Sequence, residues 1–314
     1  MKIRSPWTFA IFFIVTGSLT GIASGAVATA LAVTASANPT DSIAYYRAKA
    51  NKNPDNAETL CRLGKAYFKA QAWDSAASIF KSAIAVKRDC MEAYLNLGMT
   101  FGRQEKWHDA IDVYEQAIAV KPDYVPAYGK LGLVYGRLGH WDDATDIFNK
   151  AIAVAPRSPE AYLSLAVACG ARQQWDSAVI AFKKAITLDT ADADAWYNLG
   201  VTYGKLSQWT EAVDAYRNAT RIKPGYGEAF LNGGLACCKL HRWNDAIAML
   251  SRATKILPNS VTAYYNLGLI YAGAGERDSA RGMESVLRKL DAAKADSLRK
   301  AMDEPQKKSG NGSL

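Results

Sequence analysis

Two sets of polar side chains recur in this chain at a fixed step of 34 residues, and both could do recognition chemistry. The first set is amide: Asn96, Asn198, Asn232 and Asn266, with Arg62, Lys130 and Ser164 at the same register elsewhere. An asparagine side chain offers two N–H donors and a carbonyl acceptor, the same groups a peptide backbone presents. Asparagine is a mediocre mid-helix residue, so its repeated use calls for a reason. The second set is cationic: Lys69, Arg103, Arg137, Lys205 and Lys239. Such a row suits acidic side chains or a terminal carboxylate, and a solvated helix face is the alternative. A third, acidic column (Glu58, Glu92, Glu160, Asp194, Glu228) falls in first helical turns, where the helix dipole accounts for it.

Catalytic chemistry finds no comparable footing. His108, His140 and His241 fall one per repeat, in different registers, at turns between helices. The chain lacks G-x-S-x-G, H-E-x-x-H and any phosphate-cradling glycine loop. The five cysteines (Cys61, Cys90, Cys169, Cys237, Cys238) are odd in number and form no C-x-x-C pair, so no zinc site or disulfide framework is indicated. Cys169 and Cys237 occupy the column of Tyr67, Tyr135, Tyr203 and Tyr271 and read as small core residues. Cys61 and Cys90 could meet between the first two repeats in an oxidising compartment; the sequence leaves their pairing open. The expectation is a non-enzymatic chain with no catalytic residue, metal or cofactor.

The elements that must position these side chains are legible in residues 193–226, ADAWYNLGVTYGKLSQWTEAVDAYRNATRIKPGY. Trp196, Leu199, Gly200 and Tyr203 share one helical stripe. After a polar break at Ser207 and Gln208, Trp209, Ala212, Tyr216 and Ala219 start a second stripe. Pro224 stops that helix by its ring and missing N–H. The leucine recurs as Leu63, Leu97, Leu131, Leu165, Leu199 and Leu267, and the second-helix tryptophan as Trp73, Trp107, Trp141, Trp175, Trp209 and Trp243. A self-similar period of this length predicts an all-α solenoid of helical hairpins.

The columns W-x-x-L-G-x-x-Y…A…Y…A…P resemble the tetratricopeptide repeat (TPR) family over seven units, residues 57–294. That resemblance implies a right-handed superhelix whose concave groove is lined by the stripe one step after the first-helix aromatic. In the central unit this stripe is Asp194, Tyr197, Asn198, Val201, Gly204 and Lys205. The asparagines would then either form a ladder that bonds an extended peptide, as in some TPR proteins, or bond only to neighbouring helices. The candidate binding residues are Asn96, Lys130, Asn198, Asn232, Asn266, Arg103, Arg137, Lys205, Lys239, Tyr197 and Tyr265. The small column Gly102, Gly136, Gly170 and Gly204 would widen the groove or else permit close helix crossing. The carboxylate clamp of chaperone-binding TPR proteins is not matched: Cys61 and Lys65, Leu95 and Met99, Gly129 and Leu133 stand at its positions.

Residues 1–37 set the expected compartment. Lys2 and Arg4 precede an uncharged stretch, Ser5 to Thr40, apolar from Phe9 to Val15 and small-residue-rich afterwards. It reads as a transmembrane signal anchor with a Gly17/Gly21/Gly25 face, or as a signal peptide with a cleavage site at Ala35-Ser36-Ala37. Either places the repeats outside the cytoplasm, in the periplasm of a bacterium, or secreted after cleavage. Residues 38–56 are expected to form a linker and capping half-repeat with Asp41 as N-cap, and 295–314 a capping helix and disordered tail. Net charge is +8 over 314 residues, but the 22% charged residues are mixed in sign and dispersed. Nucleic acid is therefore not an expected partner. The expected partners are a protein or extended peptide, and a membrane through the N-terminal helix. Permanent docking of the outer face to a membrane complex is the alternative.

Overall fold

The computed structural model describes residues 39–303, and among them every regular element is an α-helix. The chain divides into two compact units, Met1–Arg172 and Gln173–Leu314. The first holds α1 (Pro39–Lys52), α2 (Ala57–Lys69), α3 (Trp73–Val86), α4 (Met91–Arg103), α5 (Trp107–Val120), α6 (Val125–Leu138), α7 (Trp141–Val154) and α8 (Pro159–Ala171). The second holds α9 (Trp175–Leu188), α10 (Ala193–Lys205), α11 (Trp209–Ile222), α12 (Gly227–Lys239), α13 (Trp243–Ile256), α14 (Val261–Ala274), α15 (Arg277–Leu290) and α16 (Ala292–Asp303). Within each unit, every helix packs against the one before and the one after it. The expected anchor or signal segment (1–37) and the tail beyond Asp303 lie outside the described residues. No helix among those described is long and apolar enough to cross a membrane.

Tryptophan opens every second helix from α3 to α13, as its 34-residue step predicts. Ser158, Asp192, Asn56 and Ser260 cap the first helices of their hairpins by accepting backbone N–H groups. Asp41 does not cap α1: that helix begins at Pro39, which puts Asp41 inside the first turn, where its charge meets the dipole instead.

Hairpins in both units close on a glycine in the first helix. Alanine at Gly98 would put its Cβ 2.4 Å from the Tyr114 ring, and at Gly200 it would lie 2.8 Å from Tyr216. Tyr114, Tyr216, Phe80 and Phe148 are all at most 4% exposed there. The glycines let the second helix seat a whole aromatic ring against the first. At the C-terminal end of the second unit, α16 supplies the closing side chain, since Leu298 is fully buried and lies against Gly268.

The turn inside each hairpin places one residue in the left-handed region: Gln71, Glu105, Gly139, Gln173, Ser207, His241 and Gly275, with φ between 56° and 80°. After Gln71, Glu105, Gly139, Ser207, His241 and Gly275 the next residue donates back to the first helix, for example Gln208 N–H to Tyr203 C=O and His140 N–H to Tyr135 C=O, both at 2.9 Å. This six-to-one bond is the Schellman closure, which requires left-handed backbone. Only two of these seven positions use glycine. Gly275→Ala is expected to cost about 1 kcal/mol, and Ser207→Gly to stabilise by about 0.5–1 kcal/mol. Urea melts of the two variants check the opposite signs.

Candidate functional site: the face of the first helices

In the first unit, the exposed face of α2, α4, α6 and α8 carries Leu95, Met99, Leu133, Leu163 and Val167, all half-buried. Asn96 sits among them, but its Nδ2 donates to the Glu92 carbonyl of its own helix at 2.7 Å. Lys130 is half-buried on α6, and Arg103 is exposed at the end of α4. Arg137 is exposed too, with its guanidinium 5.8 Å from the centre of the Trp107 ring in the preceding hairpin. That is cation–π range. Lys65 of α2 pairs with Glu92 of α4, tying neighbouring first helices across the face.

In the second unit, α10, α12 and α14 present Val201, Leu231, Leu235, Tyr265 and Leu269, again half-buried. Asn198 and Asn266 repeat the local pattern, donating to the carbonyls of Asp194 at 2.7 Å and Thr262 at 2.9 Å. Asn198 is only 9% exposed. Asn232 differs: its Nδ2 donates across to the Tyr197 hydroxyl at 3.0 Å, joining α12 to α10. Lys205 and Lys239 are exposed at the ends of their helices. The Lys205 ammonium stands 6.0 Å from the Trp175 ring, and Tyr265 lies under the Lys294 ammonium at 4.6 Å.

Tyr197 departs most from the sequence expectation, which puts it on the groove wall. It is 7% exposed, with ring centroids 4.9 Å from Tyr226 and 5.8 Å from Tyr216. Burial pushes its hydroxyl up to about 12, Glu228 adds to the rise, and the Asn232 bond opposes it. Tyr226 is raised by burial and by its hydrogen bond to Asp194. The cause is a column contact. The residue before a first helix (Tyr226) faces the fifth residue of the preceding first helix (Tyr197), so a large ring there is covered by its partner. The 34-residue register contains both columns, but no helical periodicity shows that they touch.

In the glycine column only Gly136 resolves toward helix crossing, since an added Cβ would lie 2.7 Å from the Trp141 ring; at Gly102 and Gly204 it would make ordinary contact with Trp107 and Trp209, at 3.5 and 3.6 Å. The amide set is likewise used largely within and between helices. What each face then offers a partner is a strip of half-exposed aliphatic side chains bordered by cations. Among the described residues, no group of three or more His, Cys, Asp or Glu side chains could hold a metal ion.

Comparison with known proteins agrees with this architecture. Models described as tetratricopeptide repeat match residues 27–90, 125–158 and 193–226, and one described as TPR repeat matches 103–139, 168–207 and 234–275. A search of curated proteins returns no match. Among solved structures, the C-terminal part of a TPR repeat-containing protein from Cytophaga hutchinsonii superposes with TM-score 0.64 at 16% identity, over 76% of this chain and 98% of that one. The crystal structure of MamA protein is 28% identical with TM-score 0.49, covering 53% of this chain and 91% of that one. YrrB, whose structure is described as a TPR protein with an unusual peptide-binding site, is 21% identical with TM-score 0.46, covering 59% and 95%. Repeat period, hairpin packing and the family matches agree: the chain belongs to the tetratricopeptide repeat family.

Proposed function

We propose that this chain is a non-enzymatic scaffold that binds a protein or extended peptide along the face of its first helices. The observation that carries this reading is the repeated strip itself. Met99 and Leu133 in one unit, and Val201 and Leu235 in the other, keep part of their apolar surface in solvent at each repeat. Partly exposed apolar surface that recurs along the first-helix face of each unit is the usual mark of an interaction site. Arg103 and Arg137 border the strip in the first unit, Lys205 and Lys239 in the second, and these favour an acidic or carboxylate-bearing partner. Residues 1–37 act in this proposal as an anchor that keeps the repeats at a membrane, outside the cytoplasm. It rests on their composition and on Lys2 and Arg4.

A permanent structural role through the outer surface is the second reading. It is favoured by a recess of about 330 Å³ between α3 and α5, floored by Leu97 and Phe101 and rimmed by Lys81, Asp109 and Asp112.

Site-specific photocrosslinking in the native cell separates the two. Benzoylphenylalanine replaces Met99, Leu235, Gln116 in the recess, or Ile180 on the exposed face of α9, one at a time. Adducts to one partner concentrated at Met99 and Leu235 are the expected result. Adducts only at Gln116 or Ile180 reject the first-helix face. Mass spectrometry of the membrane-sedimented product also reports its N-terminus. A soluble product whose repeats are reached only by cytoplasmic reagents rejects the anchor.

A further inference from the structure

We propose that Cys61 and Cys90 are a thiol-oxidation site, closed to an intramolecular disulfide by exchange with a small disulfide such as glutathione disulfide. The two sulfurs stand 3.5 Å apart although 29 residues separate them in sequence. A disulfide needs about 2.05 Å, so the two sulfurs must move closer for the bond to form.

Three features of the fold bring them together. Cys61 lies in α2 at the fifth position of its repeat, and Cys90 immediately precedes α4. These are the two columns occupied in the second unit by Tyr197 and Tyr226, whose ring centroids lie 4.9 Å apart. The juxtaposition is therefore a property of the repeat rather than of one pair of rotamers. In addition, Cys90 makes no side-chain capping bond to α4, unlike Ser158, Asp192 and Ser260 at the equivalent position. Its backbone is fixed all the same, by N–H donation to Lys87 C=O at 3.0 Å. The thiol is thus left facing its partner with no capping role to compete.

The order of events follows from access. Cys61 is 1% exposed, whereas Cys90 is only half-buried. Burial, the neighbouring Cys90 and Glu92 hold the proton on Cys61 more tightly than on a free thiol, against the pull of Lys65. Cys90 accordingly attacks the small disulfide as thiolate, forming a mixed disulfide and releasing one thiolate leaving group. Cys61 then gives up its proton to solvent and attacks Cys90 Sγ, which expels the second. The net change consumes two protein thiols and one small disulfide, and yields one protein disulfide and two small thiols. The product ties the first hairpin to the start of the second. This inference is independent of the first-helix binding face.

The test uses the full chain, reduced, freed of reductant and equilibrated with excess glutathione disulfide. It is then acid-quenched, alkylated with N-ethylmaleimide and digested with trypsin without reduction. Fragments 53–62 and 89–103 carry one cysteine each. Expected is a linked pair of these fragments accounting for most of both cysteines. It should disappear with dithiothreitol and be absent in Cys90→Ser, while buried Cys169 keeps its alkyl label. Both thiols alkylated, or Cys90 found only as its glutathione adduct, overturns the proposal.

Discussion

Replacing Tyr216 by alanine is expected to cost about 3–5 kcal/mol and to loosen α10, α11 and α12 before the rest of the second unit. Tyr216 is 4% exposed, its ring lies in the space left by Gly200, and its centroid is 5.8 Å from Tyr197. Truncation leaves a cavity bounded by helix backbone on one side and an aromatic ring on the other. Neither can collapse into it without breaking the hairpin, which puts the cost at the upper end of large-to-small substitutions. The effect stays local because a solenoid hairpin is held only by its neighbours. Hydrogen exchange by mass spectrometry should show α10–α12 amides exchanging faster, with α14–α16 changed little. Tyr216→Phe keeps the ring and should retain most of the stability. If Tyr216→Ala melts like the wild type, the ring is not the closing element of this hairpin.

Alkaline pH should unfold the second unit steeply, and the same tyrosines are the cause. An exposed tyrosine ionises near 10. Burial first, and the neighbouring Tyr197 second, push the Tyr216 hydroxyl well above that; Tyr197 itself is raised to about 12. Below about pH 10 both folded and unfolded chains keep these protons, so stability is fully present. Above it the unfolded chain releases protons that the folded chain retains, and stability falls until the folded hydroxyls also ionise. For Tyr197 that window closes near 12. Two such groups give a loss of about 3 kcal/mol per pH unit within the window. Tyr226 is raised in the same direction, but it is half-exposed and adds less. Urea melts between pH 8 and 11, followed by circular dichroism, measure the slope. Tyr216→Phe should flatten it by about 1.4 kcal/mol per pH unit. An unchanged slope in that variant would mean that Tyr216 ionises as readily folded as unfolded.

Much of the architecture was legible because it is local. Trp107, Trp141 and Trp209 open helices, Pro224 follows one, and Ser158-Pro159 starts another. All of these act through the backbone of adjacent residues or through i, i+4 contacts, which a single repeat already contains. The candidate face was legible in outline for the same reason. Met99, Leu133 and Leu235 share the 34-residue column of Val201, which the resemblance to TPR proteins puts on the groove stripe, and they are half-buried. Asp41 shows the resolution of local patterning: a helix is expected there, but it starts three residues earlier than a cap at that position requires.

Everything that depended on the next hairpin was decided by tertiary structure. A period of 34 says that Tyr197 and Tyr226 recur in columns; only the stacking distance shows that those columns meet, which moves Tyr197 from the binding face into the core. The same contact brings Cys61 to Cys90. Whether Gly136 opens a groove or admits a ring was settled by where Trp141 lies, and the left-handed turns at Gln71, Glu105, Gln173 and Ser207 were invisible in residue types that rarely adopt them. The physical reason is common to all of these. Sequence periodicity reports the direction of a side chain relative to its own helix, whereas burial depends on what the neighbouring helix places in front of it.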